Sequence, residues 1–191
     1  MSLFSLDINV EILKDVKSLN KELLKTCNEI YKKNKTVHKS NDGYQSDRLD
    51  IKKYTVFLKL FEKTKEPIYK TLELYNLKNI NNINFSLPWI NINKPGDFNW
   101  PHKHLNSHFS LVYYLKVPKK SGDIYFTNPL TEENLFFLKE FKKYNPYNSS
   151  SFNYEPEKNS LIMFPSNLQH AVGRNNSKEN RISIAFDVNI E

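Results

Sequence analysis

Beyond Leu77 the chain drops the three- and four-residue apolar spacing of its first part. Val, Ile, Phe, Tyr and Trp then fall in short runs parted by Pro, Gly and Asn, the pattern of an antiparallel all-β body. Strands are expected near residues 82–93, 99–104, 108–117, 122–127, 160–164 and 181–189. From Pro129 to Asn159 the pattern lapses into one short helical candidate, Glu132 to Tyr144, and a Ser/Asn/Tyr/Pro stretch that reads as a mobile loop. Its length is that of a lid or an insertion.

The first part is helical. Val16, Leu19, Leu23, Leu24, Cys27 and Ile30 form one apolar stripe and predict an amphipathic helix from Asp15 to Lys35. The stretch from Lys39 to Asp50 is polar and turn-rich, so it is expected to be a loop. Tyr54, Phe57, Leu58, Phe61, Ile68, Leu72 and Tyr75 predict a second helix over 53–77, which Pro67 should kink or split. Both helices are expected to pack on a sheet. The chain thus reads as mainly β with flanking helices: one domain, 1–191, with a helical flank over 1–80 and a sandwich or barrel over 81–191.

Composition removes several classes. A length of 191 residues fits one domain, and 13 Phe, 11 Tyr and two Trp can fill a core although only 39% of residues are hydrophobic. One Cys cannot build a disulfide framework or a thiolate zinc site, and no signal-peptide pattern opens the chain, so a reducing, cytoplasmic setting is expected. No apolar run reaches the roughly 18 residues of a membrane span. A net charge of +7 keeps a nucleic-acid partner open, but the lysines are spread rather than gathered into one run. Exposed strand edges make a homodimer plausible.

The chemistry-bearing residues lie in the β part. His102 and His104 flank Lys103, and residues two apart on a strand share a face. A third histidine from a distant strand, His170, would close a metal site with positions left open for substrate. Imidazole suits iron, zinc, copper and nickel. Eleven residues after His170, Arg181 and Ser183 share a strand face, and a buried arginine there needs an anion, for which a carboxylate matches its planar fork. His108 and His38 read as surface, core or loop residues, Cys27 as a small core residue, and Trp89 and Trp100 as core or pocket-wall aromatics.

The segments WININKPGDFNWPHKH, SHFSLVYYLKVPKKSGDIYF, LIMFPSNLQHAV and RISIAFDVN, with DGYQS at Asp42 to Ser46, resemble the iron(II)- and 2-oxoglutarate-dependent oxygenases of the double-stranded β-helix fold. They look most like a subfamily found in marine bacteria and their phages, which writes H-x-H, S-G-V-Y-Y-L, F-P-S, a distal H and R-I-S. The resemblance implies a jelly-roll, cupin-like core preceded by amino-terminal helices. It implies Fe(II) on His102, His104 and His170, and the distal carboxylate of 2-oxoglutarate on Arg181 and Ser183. Tyr114 matches a tyrosine that prolyl hydroxylases place on that carboxylate. Asn91 and Asn93 match two cosubstrate positions of the alkylation-repair demethylases, Asn91 in residue type and Asn93 in place only. The implied activity is hydroxylation of an unidentified small-molecule or protein substrate by dioxygen, with release of succinate and CO2.

Two departures stand out. The superfamily's usual facial triad has a carboxylate where His104 stands, which leaves metal identity open between iron and a zinc-type three-histidine set; Asp97 is the nearest other carboxylate and ranks below His104. Leu111 stands where relatives carry Gly and is expected to narrow the pocket. Two other readings remain: a cupin-type three-histidine metalloenzyme independent of 2-oxoglutarate, with Arg181 on the substrate's own carboxylate, and a basic nucleic-acid-binding module with structural histidines.

Overall fold

The structure is a computed structural model, which describes residues 7–33, 41–78, 80–129, 140–145 and 148–191. In chain order its elements are β1 (Asn9–Ile12), α1 (Lys17–Lys33), β2 (Asn41–Asp42), β3 (Tyr44–Gln45), α2 (Val56–Leu74), β4 (Ile83–Phe85), β5 (Trp89–Asn93), β6 (Phe98–His102), β7 (Phe109–Lys116), β8 (Ile124–Thr127), β9 (Ser151–Tyr154), β10 (Ser160–Pro165), β11 (His170–Val172) and β12 (Arg181–Ile190). The chain is mainly β, with two helices ahead of most of the strands. A larger antiparallel sheet runs β1-β10-β7-β12-β5-β3, with β4 also paired to β12; a smaller one runs β2-β6-β11-β8-β9.

The central strand β12 explains how one sequence serves two environments. Successive side chains alternate faces, so Ile182, Ile184, Phe186 and Val188 enter the main hydrophobic core with the helices. Arg181, Ser183, Ala185 and Asp187 therefore face the opposite way, between the sheets. On β7 the same alternation sends Leu111, Tyr113 and Leu115 to the helix side, with Val112 and Tyr114 in the second cluster between the sheets. Leu111 thus points away from the cavity, and the expected narrowing of the pocket does not occur.

Helix α1 buries Leu19, Leu23, Cys27 and Ile30, spaced for one face, and ends in Lys32 and Lys33, whose charges suit the carbonyl end of a helix dipole. Asn20 on the same face accepts from Tyr113 Oη at 2.7 Å and donates to Asn159 Oδ1 at 2.7 Å, which ties the helix to the sheet. Helix α2 continues unbroken through Pro67, so the split that the proline allowed does not occur. Ile68 and Leu72 are fully buried beyond the proline and Phe57 and Leu60 before it, so both halves are anchored in the core. Pro67 still lacks an N–H for the helix ladder. Replacing Pro67 by Ala is expected to stabilise the protein by about 1–3 kcal/mol, measured by urea unfolding; a lowered midpoint would mean that the proline ring is part of the packing.

Other differences have local causes. The expected strand over 82–93 is broken at Pro88, and Ser86 bridges the break, its Oγ accepting from Asp187 N at 2.8 Å. The strand expected to reach His104 ends at His102, because His104 N donates instead to Ser166 O at 2.8 Å. The amino-terminal part is not helical alone: β1 pairs with β10, β2 with β6 and β3 with β5. Within the expected loop, Ser151–Tyr154 forms β9, paired with β8. Residues 140–145 are not helical, and most of the candidate helix Glu132 to Tyr144, like His38, lies outside the described residues. Among the described residues no helix is long and apolar enough to cross a membrane.

Candidate metal centre

Strand β11 lies between β6 and β8, and His170 stands in register with His102. His104 follows β6 and turns its ring to the same point. Ring centroids are 4.2 Å apart for His102 and His170, 5.3 Å for His102 and His104, and 5.2 Å for His104 and His170. One ligand nitrogen from each ring lies within 4.8 Å of the other two. These distances let the three rings serve a single ion.

The hydrogen bonds assign the tautomers. His102 Nδ1 meets Trp100 O at 2.8 Å, His170 Nδ1 meets Leu168 O at 3.0 Å, and His104 Nδ1 meets Asp187 Oδ1 at 2.7 Å. Each of these partners is an acceptor, so each Nδ1 carries a hydrogen and Nε2 is the nitrogen left to face the cavity. Burial, reinforced by the neighbouring rings, pushes the His170 imidazolium down to about 3. Burial also lowers His102, despite the bond to Trp100 O. Burial thus favours the neutral imidazole at His102 and His170, the latter with Phe164 and Phe126 packed on it, and a neutral ring is what a metal ion needs from a histidine ligand.

A second polar cluster occupies the same cavity, of about 320 Å³. Strands β5, β12 and β7 run side by side, so Asn93 lies opposite Arg181, and Asn91, Ser183 and Tyr114 form one cross-strand row. Arg181 is only 1% exposed. Its two terminal nitrogens donate to Gly122 O at 2.9 Å and Asn93 Oδ1 at 2.8 Å, and its Nε has no hydrogen-bond partner. Among the described residues no carboxylate forms an ion pair with it. Burial pulls its pKa down, against the opposing influence of Tyr114 and Asp123. The Tyr114 phenol is pushed up to about 12 by burial and stays neutral, able to donate. A buried cation with an orphaned donor fits an anionic ligand carrying a carboxylate.

His102, His104, His170, Arg181, Ser183, Tyr114, Asn91 and Asn93 all line this one cavity. Asn93 serves the guanidinium directly, and its Nδ2 donates to Asn99 Oδ1 at 2.8 Å. Other expectations fall outside. Asp97 Oδ2 accepts from Lys94 N at 2.8 Å and closes the turn between β5 and β6, so it is committed elsewhere. His108 Nδ1 accepts from Ile190 N at 3.0 Å, beside a separate apolar cavity. Trp100 is 56% exposed and packs on Phe98, outside the cavity. Cys27 is a core thiol, pushed up to about 12 by burial.

Sequence reasoning missed Arg48, Lys103 and Gln45 in the cavity lining, and Asp187 behind His104. Asp187 carried a usable signal: an acid in an apolar strand, in phase with Arg181 and Ser183. Burial raises its pKa, but hydrogen bonds from His104, Ser110 and Arg48 outweigh burial and hold the carboxyl below its ordinary value.

Residues 88–187, just over half of the chain, match the family model described as "Putative 2OG-Fe(II) oxygenase". The chain belongs to that family and is an Fe(II)- and 2-oxoglutarate-dependent oxygenase. No curated protein matches it in sequence. Among solved structures it is similar to the viral collagen prolyl hydroxylase of Paramecium Bursaria Chlorella virus-1, seen as a 2-oxoglutarate complex, at 16% identity and TM-score 0.59 over 95% of this chain and 94% of the other. A Pseudomonas putida prolyl-4-hydroxylase matches at 14% identity and TM-score 0.63 over 98% and 94%. HygX of Streptomyces hygroscopicus, bound to nickel, 2-oxoglutarate and hygromycin B, matches at 10% identity and TM-score 0.64 over 96% and 83%. At these identities the likeness is one of fold.

Proposed function

We propose that His102, His104 and His170 hold the Fe(II) through their Nε2 atoms, and that Arg181 and Ser183 grip the distal carboxylate of 2-oxoglutarate, with Tyr114, Asn91 and Asn93 beside them. The two sheets, apart from the edge strands β1, β2 and β3 that the flank 1–80 adds to them, are the walls of a double-stranded β-helix, a jelly-roll core over 81–191 that forms one domain with that mostly helical flank. The observation that carries the cosubstrate assignment is Arg181, buried with no acidic partner among the described residues, on the cavity that the three imidazoles also line.

Bound iron and 2-oxoglutarate supply the oxidation, in which the keto acid loses CO2 to give succinate and a substrate C–H becomes C–OH at the expense of dioxygen. The chain's own residues do the rest. Asn93 and Gly122 O hold the Arg181 fork in one plane, so the ligand meets a prepositioned donor set. Phe164, Phe126 and Ile124 keep the inner wall dry, which strengthens each polar contact made there. Arg48 and Lys103 give the cavity lining positive charge for a substrate bearing polar or acidic groups. The substrate is a small molecule or a protein side chain that reaches this cavity. The similar structures include prolyl hydroxylases and one protein bound to hygromycin B, and so support both classes.

The test is anaerobic titration of metal-free protein with Fe(II) and then 2-oxoglutarate, followed by air and a succinate assay. A weak visible charge-transfer band on adding the keto acid, then succinate, is the expected result. Iron binding with neither band nor succinate would turn the reading to a three-histidine enzyme independent of 2-oxoglutarate, with Arg181 on the substrate.

A further inference from the structure

The three imidazoles are not held alike. His102 and His170 give their Nδ1 hydrogens to main-chain carbonyls, whereas His104 gives its own to the Asp187 carboxylate at 2.7 Å. His104 is also the residue that stands where the superfamily's usual triad has a carboxylate. Asp187 is 3% exposed and tightly framed. Its Oδ1 accepts from Ser110 Oγ at 2.8 Å as well as from His104, and its Oδ2 accepts from Arg48 at 3.1 Å. Its backbone N donates to Ser86 Oγ at 2.8 Å. Ser110 Oγ lies 2.9 Å from Ser166 Oγ, and Ser166 O accepts from the backbone N of His104 at 2.8 Å. One cradle therefore fixes both ends of the His104–Asp187 pair.

We propose that Asp187 is a positioning residue for the metal: the carboxylate absent from the ligand set stands one imidazole further out and acts through His104. The inference rests on the reading of His104 as a ligand. A carboxylate hydrogen-bonded to Nδ1 fixes the tautomer and makes Nε2 a stronger donor. It also brings negative charge toward an ion that would otherwise face three neutral ligands. Arg48 does not cancel this. Its side chain is 49% exposed and meets the far oxygen, so water screens it, while Oδ1 and His104 face each other inside the protein.

A merely structural Asp187, satisfying buried donors, predicts something different. The two readings separate in a double-mutant cycle read by Co(II) affinity and by the melting temperature of the metal-free protein. The proteins are wild type, Asp187→Asn, His104→Ala and the double variant. Asparagine keeps the size and an acceptor oxygen but removes the charge. Asp187→Asn is expected to weaken Co(II) binding by about 10- to 100-fold in the wild-type background, and to have no further effect once His104 is alanine. Wild-type affinity in Asp187→Asn, or the same loss in both backgrounds, overturns the proposal. A different result, His104→Ala binding Co(II) as tightly as wild type, would remove His104 from the ligand set and overturn the reading beneath it. A fall in melting temperature that tracks the affinity loss in both backgrounds marks the structural role and likewise counts against it.

Discussion

Replacing Arg181 by Met is expected to raise the dissociation constant for 2-oxoglutarate by about 100-fold or more, while Fe(II) affinity stays within about threefold. The size follows from the chemistry of the contact. Charge-assisted bonds from a guanidinium contribute about 1.5–3 kcal/mol each, and each ~1.4 kcal/mol is tenfold in binding. The guanidinium is already oriented by Gly122 O and Asn93 Oδ1, so little ordering entropy offsets the gain. Metal binding should be spared because the three histidines hang from β6, β11 and the turn after β6, while Arg181 belongs to β12. Methionine also removes a buried cation that has no acidic partner among the described residues, so the metal-free variant is expected to melt no lower than wild type. The charge-transfer band at graded 2-oxoglutarate concentrations, with a calorimetric scan of the metal-free protein, reads both. Equal losses of keto acid and metal would remove Arg181 from its assigned role.

His170→Ala should act on the other half of the site. Losing one of the three proposed ligands is expected to weaken Fe(II) binding by about 100- to 1,000-fold, taking structural-site affinities of ~10–16 kcal/mol as spread over a few ligands. The band should then be absent at iron concentrations that saturate the wild type. His170 is also wedged between Phe164 and Phe126, with ring centroids at 4.7 and 6.4 Å. The smaller side chain leaves a gap there, so a modest fall in melting temperature is expected alongside the metal loss. His108→Ala, in the separate apolar cavity, supplies the comparison. If His170→Ala binds iron normally, the three-histidine assignment fails. If His108→Ala loses it as well, the effect is one of folding.

What could be read from the sequence depended on length and period. Helices α1 and α2 and strands β7, β10 and β12 are long enough for spacing to show, and the chain order of H-x-H, H and R-x-S matched residues that the fold gathers on one cavity. Strands β1, β2, β3 and β9 were invisible, because two to four residues make no period and their pairing is decided by the edge they meet. Leu111 was placed on the wrong side because a strand's facing depends on register, and a one-residue change inverts it. Asp187 escaped for the same reason: its neighbour in space, His104, is 83 positions away in sequence, and only the fold brings the two together. Asp97, five residues from His102, looked closer on paper and is committed to a turn.

The different anchoring of the three imidazoles bears on how such a site tolerates drift. Trp100 and Leu168 steady His102 and His170 through backbone oxygens, which any amino acid at those positions supplies. Two of the three anchors are thus indifferent to side-chain identity, and lineages can exchange residues there to suit a new substrate without disturbing the ligand geometry. The third depends on a side chain. Selection against change should therefore concentrate on residue 187, a position 83 residues away in sequence from the one histidine it serves.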